Sequence, residues 1–150
     1  MAHTITETRE LPWSAEQMFD LVADVRRYPE FLPWVVATRI RSDSESEMIA
    51  DMLVGFSAFK EKFTSRVDKQ RPGRIEIDYL DGPLRKLDNI WTFTPLESGG
   101  CRIDFRVDFE FRSAVLEKMA GQYLDRAFRK MVAAFEKRAA VLYGQPARAG

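Results

Sequence analysis

The chain has 150 residues, 45% hydrophobic and 31% charged, a balance that is typical of a globular domain and excludes a disordered chain. Lys plus Arg and Asp plus Glu both number 23, and this zero net charge argues against a dedicated nucleic-acid-binding protein. The single Cys and single His exclude an intramolecular disulfide and argue against a Cys- or His-based metal site.

The N-terminal part is predicted to hold one strand and two short helices. The strand covers residues 3–11. Ser14 is the predicted N-cap of the first helix, because Gln17 stands three residues later, as in a capping box. A second short helix or turn covers residues 27–32 and ends at Pro33.

The middle of the chain is predicted to form six consecutive β-strands. Between residues 35 and 112 hydrophobicity follows a period of two, and the short connections require antiparallel neighbours. The predicted strands are 35–41, 48–56, 59–69, 74–80, 84–95 and 101–112. In the last of them apolar and charged residues alternate strictly from Cys101 to Arg112, so one face must be buried and the other solvated.

One long helix is predicted over residues 113–143, about 45 Å in length. This helix must lie across one face of the sheet, because nothing else in the chain can cover its apolar stripe. The predicted fold is therefore α+β, a seven-stranded antiparallel sheet curled around the C-terminal helix with space between them. Residues 1–143 are predicted to form one domain and residues 144–150 a disordered tail.

The sequence contains no nucleotide-binding, zinc-protease or nucleophile-elbow motif, and we expect no enzymatic activity. His3 is expected to be incidental and Cys101 to be a buried inert thiol. Glu61, Arg85 and Asn89 stand at strand positions that the alternation turns toward the core. Two interpretations stay open: an internal polar network that fixes strand register, or a polar spot that orients a ligand in an apolar cavity.

Three segments resemble the coenzyme Q-binding protein family, within the START-like polyketide cyclase/dehydrase superfamily. They are residues 28–34 (Tyr-Pro-Glu-Phe-Leu-Pro-Trp), 54–67 and 81–93, and the resemblance covers about residues 3–143. It implies a helix-grip (START/Bet v 1-like) fold with a cavity that holds ubiquinone or a similar isoprenoid lipid. It also implies a carrier or chaperone that supports respiratory electron transport and quinone biosynthesis, with no covalently bound cofactor and no metal.

The expected ligand contacts come from the aromatic segment, the inner strand faces and the long helix. They are Phe31, Leu32, Trp34, Leu53, Phe56, Glu61, Phe63, Arg85, Asn89, Trp91, Phe93, Phe105, Val107, Phe109, Met119, Tyr123 and Phe128. Residues 28–34, called the 28–34 segment below, are expected either to gate the cavity at a membrane or to cap one end of the core.

The expected partners are a lipid quinone and, transiently, a membrane surface, without nucleic acid. The basic residues of the long helix are expected to form a solvated face, with a membrane contact as the alternative. Because the sequence shows no secretory signal and no apolar span, we expect a cytoplasmic location, at most peripheral to the inner membrane. Two other functions remain open: a ribosome-association toxin-like factor, and an aromatase/cyclase-type enzyme that would use Glu61.

Overall fold

The computed structural model describes residues 2–56 and 59–144, and the predicted tail lies outside them apart from Gly144. Strand β1 (Ala2–Leu11) is followed by helix α1 (Ala15–Ala23) and a 3-10 helix (Val25–Glu30). The next strands are β2 (Val35–Asp43), β3 (Glu47–Phe56), β4 (Phe59–Gln70), β5 (Arg74–Asp81), β6 (Leu84–Pro95) and β7 (Cys101–Phe111). Helices α2 (Ala114–Arg129) and α3 (Met131–Tyr143) end the described chain.

The strands form one seven-stranded antiparallel sheet in the order β1-β7-β6-β5-β4-β3-β2. Strands β2 to β7 are joined as consecutive hairpins, while β1 pairs with β7 from the other end of the chain. The predicted α+β helix-grip architecture is confirmed, with the two C-terminal helices against the sheet.

Strand β7 has the predicted division of its faces. All six apolar side chains from Cys101 to Phe111 are buried, whereas the charged side chains between them are exposed or half-buried. On the outer face Thr4 and Thr8 of β1 donate hydrogen bonds to Asp108 and Asp104 of β7, at 2.6 and 2.7 Å. These cross-strand pairs support the register that keeps the apolar set inside.

Helix α1 begins with the predicted capping box. The Gln17 amide N–H donates to Ser14 Oγ at 3.1 Å, and the Ser14 amide N–H donates to Gln17 Oε1 at 2.9 Å. The helix buries Met18, Phe19 and Val22. It therefore closes one end of the core, with the Phe19 ring 5.9 Å from that of Phe93.

The prediction of one continuous C-terminal helix is wrong, because the helix is interrupted at Lys130. The Lys130 amide N–H is shared between the carbonyls of Arg126 and Ala127, both at 3.2 Å, which tightens the last turn of α2. The apolar stripe continues on both sides, so periodicity alone carries no sign of the break. Phe128 and Met131 flank the interruption on the side that faces the sheet.

Cys101 is fully buried, and burial raises the pKa of its thiol from 9.0 to about 11. The unfolded chain then releases this proton at a lower pH than the folded chain. The stability that this group contributes is present below about pH 9 and is lost as the pH rises toward 11. We expect urea unfolding to show this loss in the parent chain.

Tyr28 also contributes to the loss of stability at high pH, because burial raises the pKa of its hydroxyl. The control is therefore Cys101→Ala, which keeps Tyr28 and should lose stability less steeply above about pH 9. Identical pH profiles in the two proteins would contradict the assignment.

Candidate functional site

A cavity of about 100 Å³ lies between the concave face of the sheet and helices α2 and α3. Its wall is almost entirely apolar, and strands β3 to β6 contribute eight of the 17 lining residues. The lining residues are Tyr28, Leu32, Trp34, Val35, Met52, Val54, Phe63, Ser65, Ile77, Leu87, Asn89, Trp91, Leu124, Ala127, Phe128, Met131 and Phe135.

Part of the predicted contact set lines this cavity directly: Leu32, Trp34, Phe63, Asn89, Trp91 and Phe128. The structure brings these side chains together from the 28–34 segment, strands β4 and β6, and helix α2. Their contact with a ligand stays a prediction.

A second group of predicted residues packs behind the wall. The Phe105 ring lies edge-on to that of Trp91 at 4.8 Å, and the Phe93 ring is stacked with Trp91 at 6.3 Å. Phe109 supports Phe128 at 5.2 Å, Phe31 lies 5.1 Å from Phe135, and Val107 is fully buried on β7. These side chains hold the lining residues in place and do not face the cavity.

Two predicted strand contacts, Leu53 and Glu61, do not line the cavity. Leu53 points to the outer face, because its neighbours Met52 and Val54 take the inner one. Glu61 shares the face of Phe63 but lies nearer the β3–β4 hairpin, where it is exposed. The side chain of Phe56, another predicted contact, falls outside the described residues.

Arg85 is also misplaced by the sequence pattern, and here the cause is a β-bulge. Leu84 pairs with Phe111 and Lys86 with Glu110, so Arg85 is the extra residue of β6. The alternation shifts at this point, and the Arg85 side chain is exposed, with Nη1 3.9 Å from Glu110 Oε1. Arg85 is therefore not part of the internal polar network that the sequence suggested for Glu61, Arg85 and Asn89.

Met119 and Tyr123, predicted as cavity wall on α2, are exposed. The helix turns Leu124 and Ala127 inward instead, and buries Ala120 and Gly121 against the sheet. A Cβ atom at Gly121 would lie 3.6 Å from the Phe111 ring, an ordinary van der Waals distance. The inner face of α2 is therefore marked by small residues. A sequence analysis that follows the large apolar residues misses this signal.

Asn89 is the amide at the centre of the wall, and its orientation is fixed by its partners. Its Nδ2 donates to the Arg106 carbonyl at 2.9 Å, while its Oδ1 accepts from Trp91 Nε1 at 3.0 Å. An indole N–H can only donate and a carbonyl can only accept. The predicted internal network therefore exists, but its members are Asn89, Trp91 and the β7 backbone.

The same amide keeps hydrogen-bonding capacity toward the cavity. Nδ2 carries a second N–H, and Oδ1 has a second lone pair. Ser65 supplies a hydroxyl to the same wall. Asn89 can therefore stabilise the sheet and bind a polar group at once.

The wall offers binding groups, and its described lining residues include no Asp, Glu, His, Lys, Arg or Cys. Among residues 2–56 and 59–144 no group of three or more His, Cys, Asp or Glu could hold a metal ion. The cavity is smaller than the roughly 150 Å³ site that holds benzene in an engineered protein, and far smaller than most ligand pockets. A larger ligand requires lining side chains or helix α2 to move.

No helix within the described part of the chain has the length and apolar character that crossing a membrane requires.

Comparison with known proteins gives one matching family. A family model described as polyketide cyclase/dehydrase and lipid transport matches residues 11–136. The solved structure of the Zhui aromatase/cyclase from Streptomyces sp. R1128 has a TM-score of 0.82, at 16% sequence identity, over 97% of this chain and 100% of that chain. This similarity shows the shared fold.

Two relatives are similar in sequence over nearly the whole chain. Ribosome association toxin RatA of Escherichia coli (strain K12) is 38% identical over 139 residues, which cover 93% of this chain and 88% of that protein. Coenzyme Q-binding protein COQ10 homolog B, mitochondrial, of Xenopus laevis is 35% identical over 144 residues, which cover 93% of this chain and 59% of that protein. The chain therefore belongs to the START-like polyketide cyclase/dehydrase and lipid transport family, in the group that contains the RatA and COQ10 proteins.

Proposed function

We propose that this protein binds ubiquinone or a similar isoprenoid lipid in the cavity between sheet and helices, and acts as a carrier without turnover. The observation that carries the proposal is the apolar wall, in which the side-chain amide of Asn89 and the hydroxyl of Ser65 are placed among aromatic and aliphatic groups. The name of the Xenopus relative supports a quinone as the ligand.

The chemistry of such a lipid fits this wall. Each methylene-equivalent removed from water contributes roughly 0.8 kcal/mol, so an isoprenoid tail gains most from apolar burial. A quinone carbonyl accepts hydrogen bonds and donates none. The free N–H of Asn89 Nδ2 and the Ser65 hydroxyl are donors suited to it.

Room for the head group has to come from movement of the wall. Met52 and Met131 are unbranched side chains that change rotamer easily. The helix interruption at Lys130 lies between the lining residues Phe128 and Met131, so a small change of angle there widens the cavity. We therefore place the ligand under the junction of α2 and α3.

Filling the cavity tests this proposal. Ala127 is buried on the inner face of α2, and Ala127→Leu adds three carbon atoms to the cavity. We expect the variant to fold, with a change in unfolding free energy below about 2 kcal/mol. Its bound lipid should be at least roughly tenfold less than that of the parent chain. The measurement is mass spectrometry of lipid extracted from the purified protein, beside in vitro binding of a short-tailed ubiquinone.

The matched control is Ala133→Leu, the same change at an exposed position of α3. It should keep the parental lipid content. Normal lipid content in Ala127→Leu, or a parent chain that neither carries nor binds a quinone, would contradict the proposal.

Ribosome association is the second candidate, and the name of the Escherichia coli relative is what favours it. The zero net charge predicts no nucleic-acid partner, and that expectation stays a prediction. Sedimentation of ribosomal subunits with added protein separates the two functions. Two results together would favour the second candidate: the parent chain contains no lipid, and both the parent chain and Ala127→Leu sediment with ribosomal subunits.

A further inference from the structure

Helix α2 exposes large apolar side chains on the face opposite to the cavity. Val115 is 70% exposed, Met119 59% and Tyr123 39%. They are four residues apart, so they lie one above another along the helix. In a folded chain such a stripe is normally turned toward the core, as Ala120 and Leu124 are here.

The same helix face carries positive charge. Lys118, Arg126 and Lys130 are exposed and form no ion pair with any residue in 2–56 or 59–144. The acids of α2 are occupied elsewhere: Asp125 accepts from Arg129 at 2.8 Å, and Glu117 bonds His3 at 2.7 Å on the flank that faces β1. A chain without net charge therefore presents a locally cationic and apolar surface.

We propose that this face of α2, defined by Val115, Met119, Tyr123, Lys118, Arg126 and Lys130, docks on the surface of an anionic lipid bilayer. Aliphatic groups enter the boundary between headgroups and acyl chains, while Lys and Arg meet the lipid phosphates. The two most exposed apolar residues of this face, Val115 and Met119, are aliphatic and have no flat ring on which a base could stack, which favours a bilayer over an RNA partner.

The 28–34 segment, which the sequence suggested as a membrane contact, is less suited to that role. Leu32 and Tyr28 are buried, and Phe31 and Trp34 are half-buried against the core. Helix α2 instead has both features: its outer face is the proposed docking face, and on its inner face Leu124 and Ala127 line the cavity. The inference concerns the outer face alone and does not depend on what the cavity holds.

Co-sedimentation with vesicles tests the inference. One set is phosphatidylcholine alone, and in the other about a third of the lipid is phosphatidylglycerol. We expect the parent chain to bind the anionic set, with affinity falling as salt is added. Because each cation near an anionic surface contributes about fivefold in affinity, the triple variant Lys118→Gln/Arg126→Gln/Lys130→Gln should bind roughly a hundredfold more weakly. Val115→Ser/Met119→Ser should reduce binding about tenfold or more.

Matched controls come from other exposed positions. Arg26→Gln/Arg39→Gln/Lys137→Gln removes three cations that also form no ion pair within the described residues. Val141→Ser/Leu142→Ser removes two exposed aliphatic side chains from α3. Both should bind the anionic vesicles as the parent does.

The inference is overturned if the parent chain does not bind anionic vesicles, or if the control variants lose as much binding as the α2 variants. It is also overturned if the α2 variants weaken sedimentation with ribosomal subunits while vesicle binding is absent, since the face would then contact the ribosome. Lipid content separates this inference from the proposed function. An α2 variant that keeps its lipid but not its membrane binding leaves the cavity proposal standing, and Ala127→Leu is expected to show the reverse.

Discussion

Replacing Phe135 by alanine is expected to lower the free energy of unfolding by about 3–5 kcal/mol. The ring is completely buried where α3 crosses the sheet. It packs edge-on against Tyr28 at 5.4 Å, Phe31 at 5.1 Å and Trp91 at 5.2 Å. One substitution therefore removes contacts to the 28–34 segment and to β6 at once. Chemical denaturation followed by fluorescence measures the change.

The same substitution is expected to enlarge the cavity, because Phe135 forms part of its wall. The space that the ring leaves has the size and shape of benzene, so benzene should raise the melting temperature of Phe135→Ala more than that of the parent chain. Leu142→Ala is the control on α3, since Leu142 is largely exposed and its loss should cost less than about 0.5 kcal/mol. A cost below about 1 kcal/mol for Phe135→Ala would show that the ring is not packed as described.

Leu32→Ser is expected to cost about 4 kcal/mol of unfolding free energy, because it removes a fully buried side chain and leaves a hydroxyl in an apolar place. This variant decides between the two roles considered for the 28–34 segment. A mobile gate would tolerate the change with little loss of melting temperature, whereas a cap on the core would not. Leu80→Ser, at an exposed position of β5, is the matched control and should be nearly neutral.

The contacts of the 28–34 segment favour the cap. The Tyr28 hydroxyl donates to the Val22 carbonyl, and the Arg138 guanidinium of α3 donates to the Glu30 carboxylate. The same guanidinium lies 5.2 Å above the Phe31 ring. An almost unchanged melting temperature in Leu32→Ser would show that these contacts do not hold the segment and would restore the gate.

The fold was largely predictable because its strands carry strong local signals. Strict alternation in β7 fixes which face is buried, and the Ser14–Gln17 pair fixes where α1 begins. The short connections between consecutive strands require antiparallel pairing, because parallel neighbours need long crossover connections. Each of these signals is local, so one sequence is sufficient to detect it.

The candidate site was predicted only in part, because three of its features depend on tertiary context. The bulge at Arg85 shifts the alternation by one residue, and period-two reasoning then turns that side chain inward. Helix α2 buries Ala120, Gly121 and Leu124, so the positions of its large residues Met119 and Tyr123 do not predict which face of the helix is inside. The apolar periodicity continues on both sides of the interruption at Lys130, so hydrophobicity gives no sign of the break.

The position of β1 has a consequence for the order in which the chain can assemble. Strands β2 to β7 meet their neighbours through short hairpins, so each pair can form as soon as its second strand has been synthesised. Strand β1 has only one partner, and Ala2 pairs with Glu110 and Leu11 with Cys101. The N-terminal strand must therefore wait, unpaired, until β7 has left the ribosome. Strand β1 is thus translated before the rest of the sheet but is among the last strands to pair, and this long-range closure sets a high contact order for the folding reaction.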